Sequence, residues 1–173
     1  MPKQNQKRKS KHSRFALKGN AVVYKDDDYE TPKEVLESIT HLIDKDMVIY
    51  DPFYCRGEVV DAWATLGYKC INEKKDAFNR EHPDYDIMIS NIPFSMKPKC
   101  VELALELEKP FMLLMTIDSM GSVWIKKHWD KLNFIIPTGR YSFLKNGEMG
   151  SGAWFDTMWV CYNIGVEDKI VKL

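Results

Sequence analysis

Apolar and polar positions alternate along this chain with a period that changes several times. Val35, Leu36, Ile39 and Ile43 recur at helical spacing, which predicts a helix with Thr31 as its cap and Pro32 in the first helical position. Met47-Val48-Ile49-Tyr50 is then a short continuous apolar run, as expected of a strand buried on both faces. Val59, Val60, Trp63 and Leu66 return to helical spacing and stop at Gly67, and Tyr68-Lys69-Cys70-Ile71-Asn72 reads as the next strand. The same alternation predicts a strand over 86–90, a helix over 97–108, a strand over 111–115 and a helix over 119–131. Phe134-Ile135-Ile136, Arg140-Tyr141-Ser142-Phe143 and Met158-Trp159-Val160-Cys161-Tyr162 supply the last strands, the final two with no helix between them. Apolar strands alternating with amphipathic helices predict an α/β fold. Its sheet is mostly parallel and seven-stranded, with helices on both faces and an antiparallel closing hairpin.

A length of 173 residues suits one domain, expected over 21–173. No run reaches the roughly 20 apolar residues of a membrane span, and no apolar leader opens the sequence. Cys55, Cys70, Cys100 and Cys161 are scattered, without a CxxC pair, so no metal site is expected; reduced thiols fit an intracellular setting, cytoplasmic or nuclear. The formal net charge of zero hides a division. Residues 1–25 hold eight of the 25 Lys and Arg and no acid, so the remainder carries −8. Residues 1–20, with almost nothing apolar to bury, are expected to form a disordered basic arm, and such an arm on an acidic body suits contact with nucleic acid.

In open α/β sheets, ligands bind beyond the carboxyl ends of the strands. After the first predicted strand comes Asp51-Pro52-Phe53-Tyr54-Cys55-Arg56-Gly57, where Gly57 opens a helix and permits close backbone approach. After the second come Asn72 and Glu73, suited to a ribose diol, and then Asp76-Ala77-Phe78, an acceptor beside an aromatic, suited to an adenine ring. The strand at 86–90 runs into Asn91-Ile92-Pro93-Phe94, an unusual way for a buried strand to end. Any one of these segments alone reads as an ordinary turn; their succession at strand ends is what points to a site.

Together they resemble the class I S-adenosylmethionine-dependent methyltransferases, in particular the amino-group methylases with an Asn-Pro-Pro-Tyr or Asn-Pro-Pro-Phe motif. The resemblance spans about residues 29 to 163. Ile in the second motif place is similar to the ribosomal RNA adenine dimethyltransferases. Tyr29-x-Thr31-Pro32 is similar to the family's amino-terminal segment, and Arg140–Phe143 with Phe155-x-x-Met158-Trp159-Val160 resemble the closing strands of phage and viral adenine methylases. The chain departs from the family's Asp-Pro-x-x-Gly-x-Gly loop in having Cys55 at the first glycine place, and its short stretch from Asn72 to Asp76 implies that the helix following the second strand shrinks to a turn.

The resemblance implies a Rossmann-like fold and S-adenosyl-L-methionine as cofactor. Its methionine part would lie near Tyr29, Thr31, Asp51, Phe53 and Gly57, its ribose near Glu73 or Asn72, and its adenine near Asp76, Ala77 and Phe78. Asn91, Ile92, Pro93 and Phe94 would be catalytic, acting on N6 of adenine in DNA or RNA. Trp154 and Phe155 would line the substrate entrance. No separate target-recognition domain is expected, since only about 16 residues separate Phe94 from the strand at 111, so a single-stranded substrate, the basic arm, a partner subunit or a homodimer would have to supply grip. Two readings compete. One is a catalytically inactive methyltransferase-like subunit that binds nucleic acid or scaffolds a partner, favoured by Cys55 and Ile92; the other is a protein glutamine methylase. A nicotinamide-binding Rossmann protein fits less well, because no Gly-x-Gly-x-x-Gly opens the first helix.

Overall fold

A computed structural model describes residues 16–18, 21–23, 29–145, 148–149 and 156–173. Most of the expected basic arm lies outside the described residues, as do Trp154 and Phe155. β1 (Ala16–Lys18) pairs antiparallel with β2 (Ala21–Val23). β3 (Tyr29–Glu30) leads into α1 (Lys33–Glu37). There follow β4 (Val48–Tyr50), α2 (Glu58–Thr65), β5 (Lys69–Ile71), β6 (Ile87–Asn91), α3 (Lys97–Glu106), β7 (Phe111–Thr116) and α4 (Val123–Lys126). The chain closes with β8 (Asn133–Ile136), β9 (Leu144–Lys145), β10 (Glu148–Met149), β11 (Thr157–Tyr162) and β12 (Ile170–Lys172).

The main sheet has seven strands in the order β12-β8-β11-β7-β6-β4-β5. β5, β4, β6 and β7 run parallel, while β11 lies antiparallel between β7 and β8. The expected parallel sheet with antiparallel closure is therefore present. Strand periodicity divides the core into two layers. Phe111, Leu113 and Met115 of β7 join Met88, Tyr50 and Val160 in a cluster with Cys100, Val101 and Ala104 of α3. Met112 and Leu114 face the other way, with Ile49, Ile87 and Ile89, against Val35 and Leu36 of α1 and Trp63 of α2. Burial on both faces is why β7 reads as one unbroken apolar run. Truncating Leu114 to Ala is expected to cost about 2–5 kcal/mol of stability.

Several boundaries differ from expectation. Pro32 is the N-cap of α1 rather than its first helical residue, and α1 ends after five residues, before a 3-10 turn at Thr40–Leu42. The single helix expected over 119–131 is instead a 3-10 turn at Ile117–Gly121, the short α4 and another turn at Trp129–Lys131. Ser122 breaks it: its backbone is extended, and its hydroxyl donates to the Ser119 carbonyl, replacing a helical bond. Residues 140–143 form no strand. Arg140 pairs with Asp156 and the Tyr141 hydroxyl bonds that of Ser38, so side chains fasten this segment as a loop. The next two residues, β9, instead pair with β3 and β10 in a separate three-stranded sheet. That sheet brings the Glu30–Lys33 segment over the β4 and β6 tips. Between β5 and β6, residues 72–86 form neither helix nor strand.

Candidate active site at the strand tips

The buried polar side chains among the described residues are Asp51, Ser90, Ser119 and Thr157. All four sit at one edge of the main sheet: after β4, near the end of β6, beyond β7, and at the start of antiparallel β11. Among the described residues, this gathering of buried polar side chains marks that edge as the place where the fold serves something besides packing.

Asp51 ties three strands together. Its N–H donates to the Ile71 carbonyl at 2.9 Å, extending the β4–β5 pairing, and its own carbonyl accepts from Asn72 Nδ2 at 2.9 Å. Its carboxyl Oδ1 accepts from the Ser90 hydroxyl at 2.6 Å and from the Phe53 N–H at 3.0 Å. Those two bonds favour the ionised form, but desolvation outweighs them and raises the carboxyl to about 7. Gly57, at the N-cap of α2, has φ +96°, and an added Cβ would stand 3.4 Å from the Tyr54 ring and hydroxyl. The left-handed turn is what requires glycine here.

These groups open onto a cleft of about 170 Å3 lined by Glu30, Thr31, Pro32, Lys33, Asp51, Phe53, Cys55, Arg56, Gly57, Glu58, Val59, Ala62, Asn72 and Asn91. Six of the residues expected from sequence meet there: Thr31, Asp51, Phe53, Gly57, Asn72 and Asn91. Asn72 Oδ1 is buried and has no hydrogen-bond partner among the described residues, so this wall retains an acceptor for a ligand. Tyr29 pairs through its backbone with Lys145 of β9.

The other expected residues lie off the cleft wall. Glu73 pairs with Lys75 and with Arg80, which together hold its carboxyl below the usual range. Asp76 accepts from the Phe78 N–H at 3.0 Å and from Asn79 at 2.7 Å, closing a turn on itself. Ala77 is buried in the core, and the Phe78 ring packs 5.8 Å from that of Phe53, which does reach the cleft. In the motif itself, Ile92 and Pro93 are buried and Phe94 is half-buried, opening a 3-10 turn that leads into α3. Ile92 packs among Met88, Met96 and their neighbours, which accounts for an aliphatic residue in that place.

Two features of the edge were not anticipated. Glu30, Lys33 and Arg56 add charges to the cleft, two of them flanking Thr31-Pro32 and one beside Gly57. Their adjacency to the expected motif was the signal available. Lys97, the first residue of α3, reaches back to the β7 tip, donating to Thr116 Oγ1 at 2.7 Å and lying 3.5 Å from Asp118 and 5.8 Å from the Phe94 ring. It fastens the Phe94 turn to β7. A cation at a helix start opposes the helix dipole, which is why the sequence pattern alone did not explain it.

Among solved structures, the chain superimposes on one described as a class I S-adenosylmethionine-dependent methyltransferase from Listeria monocytogenes, with a TM-score of 0.53 and 13% identity, over 87% of this chain and 68% of that one. The two share a Rossmann-like α/β fold. Two looser matches are a dimethyladenosine transferase from Plasmodium falciparum and a precorrin-6y C5,15-methyltransferase from Geobacter metallireducens. The first has a TM-score of 0.45 and 13% identity over 76% of this chain and 62% of that one. The second has 0.46 and 12% over 81% and 96%. No protein-family model and no curated protein matches the sequence. Within this fold, the cleft spans the tips of two adjacent parallel strands, β4 and β6. Among the described residues, no helix is long and apolar enough to cross a membrane.

Proposed function

We propose that this chain is an S-adenosylmethionine-dependent methyltransferase acting on an exocyclic amino group, with N6 of adenine in nucleic acid as the first candidate. The observation that carries the reading is that Asn91, at the tip of β6, lines the same cleft as Asp51, Gly57 and Asn72. A motif tip packed away from any cleft would have argued for a purely structural strand end. The donor set fits the cofactor: an orphaned amide oxygen on Asn72, a glycine turn at Gly57, and charged side chains of both signs on the opposite wall.

In this reading Asp51, Gly57 and Thr31 hold the methionine part, and Asn72 the ribose, with Glu73 next to it in sequence. Asp76 and Phe78 flank the adenine end beyond Phe53. When bound, the cofactor supplies a methyl group on a positively charged sulfur.

The chain's own residues act on the acceptor. An amine conjugated to an aromatic ring is a poor nucleophile because its lone pair is delocalised. The Asn91 side-chain oxygen and the Ile92 carbonyl accept its two hydrogens and draw the nitrogen toward a tetrahedral shape. Pro93, with φ −61°, has no amide hydrogen and stiffens the turn. Phe94 offers a stacking face worth about 1–3 kcal/mol by comparison with other base–aromatic contacts. The nitrogen becomes acidic only after transfer, so no strong base is needed at the start. Positioning then carries as much as roughly 7–11 kcal/mol of the barrier.

The test is incubation of the full chain with methyl-labelled cofactor and separate pools of DNA, RNA and protein. Label in N6-methyladenine supports the reading, and label on glutamine transfers it to protein. Cofactor binding with no label in any pool makes the chain a non-catalytic subunit.

A further inference from the structure

The two parts of the proposed acceptor grip are held by different means. Asn91 closes β6 and is set by strand pairing, opposite Leu114 of β7. Phe94 stands half-buried in a 3-10 turn, across which the Met96 N–H donates to the Pro93 carbonyl at 2.9 Å. A base gripped by Asn91 and stacked on Phe94 is aimed correctly only if the spacing between those two groups stays fixed.

Lys97 is placed to fix it. Although it begins α3, its ammonium turns back to the β7 tip, where it donates to Thr116 Oγ1 at 2.7 Å. Thr116 is itself held by β-pairing with Thr157 of β11. The same ammonium lies over the Phe94 ring, 5.8 Å from its centroid, which is near the outer reach of about 6 Å for a cation–π contact. The Lys97 side chain is only 18% exposed, while its ionic partner Asp118, 3.5 Å away, is 80% exposed. A pair with so exposed a carboxylate contributes little stability, and a cation at a helix start opposes the helix dipole. Neither accounts for a lysine drawn in from solvent at this point; a link between a strand tip and the aromatic turn does. We propose that Lys97 is a positioning residue that acts through Phe94, fixing the ring relative to Asn91 so that a stacked base presents its amine to the grip. The role rests on the amino-group reading above and narrows the acceptor to a planar ring, because an aliphatic amide gains little from a fixed aromatic face.

Steady-state methyl transfer by the full chain to the DNA and RNA pools, beside calorimetric titration with S-adenosylhomocysteine, tests the role. Lys97→Met should lower kcat by about tenfold or more, with acceptor KM and S-adenosylhomocysteine affinity each within about threefold of wild type. Lys97→Arg should recover most of the rate, since a guanidinium can reach the same hydroxyl and ring. Thr116→Val, which removes only the anchoring hydroxyl, should lower kcat by about threefold or more. In a Phe94→Leu background, Lys97→Met should cost less than about twofold further, because the ring it acts through is gone. An unchanged kcat in Lys97→Met, a full loss repeated on Phe94→Leu, or cofactor affinity lost along with the rate overturns the role. Wild type that labels only glutamine in the protein pool overturns the role and leaves the amino-group reading standing; wild type that labels no pool overturns both.

Discussion

At the β4–β6 end of the cleft, polar side chains are anchored by strand backbone and by one another, yet still face the opening. In the turn after β5, the polar side chains bond each other instead. Asp51 is held by β5 and by Ser90 of β6, whereas Glu73 is held by Lys75 and Arg80, and Asp76 by its own turn. The first end is positioned by the pairing of neighbouring strands; the second is positioned by local pairings within residues 73–80. Groups at the first end are preorganised for a ligand, while those at the second must exchange partners to meet one.

Asp51→Ala should break this contrast most severely. It leaves the Ser90 hydroxyl and Phe53 N–H without their acceptor, and cofactor affinity measured by calorimetry should fall on the order of a hundredfold. Asn72→Ala, still on the sheet side, should weaken cofactor binding by about tenfold, and Glu73→Gln by less than about threefold. The reverse order would move the ribose contact onto Glu73.

Asp51 also predicts a pH dependence. Its folded pKa of about 7 lies above the ordinary 3.8, so the fold favours the protonated form. Its contribution to stability is therefore full below about pH 4 and is lost as pH rises through about 7. Melting temperatures followed from pH 4 to 8 should decline less steeply for Asp51→Asn than for the wild type; parallel curves would contradict the assignment.

The smallest effect concerns the arm. Deleting residues 1–20 should leave cofactor binding unchanged, weaken nucleic-acid binding a few-fold at moderate salt, and flatten its salt dependence. A binding curve indifferent to the deletion would dismiss the arm.

The contrast between the two ends also explains what could be read from the sequence. β4, β6 and β7 were legible because strands buried on both faces leave unbroken apolar runs, and the residue after each run falls at the functional edge by topology. Asp51 and Asn91 were found in this way. β3, β9 and β12 were not, because they carry no unbroken apolar run and form through pairing with distant segments. The ion pair of Glu30 with Arg56, 2.9 Å apart, depends on that same long-range pairing. Glu73 and Asp76 had the right chemistry in the right order, but sequence spacing does not register that Arg80 and the Phe78 amide lie closer to them than the cleft does.

The central claim is that the two strand tips divide the work, Asp51 holding the donor and Asn91 the acceptor. Measuring cofactor binding and methyl transfer side by side in Asn91→Ala tests this most directly. The account predicts affinity within about threefold of wild type and transfer reduced by about a hundredfold or more. Transfer at the wild-type rate, or binding and transfer lost together, would contradict it.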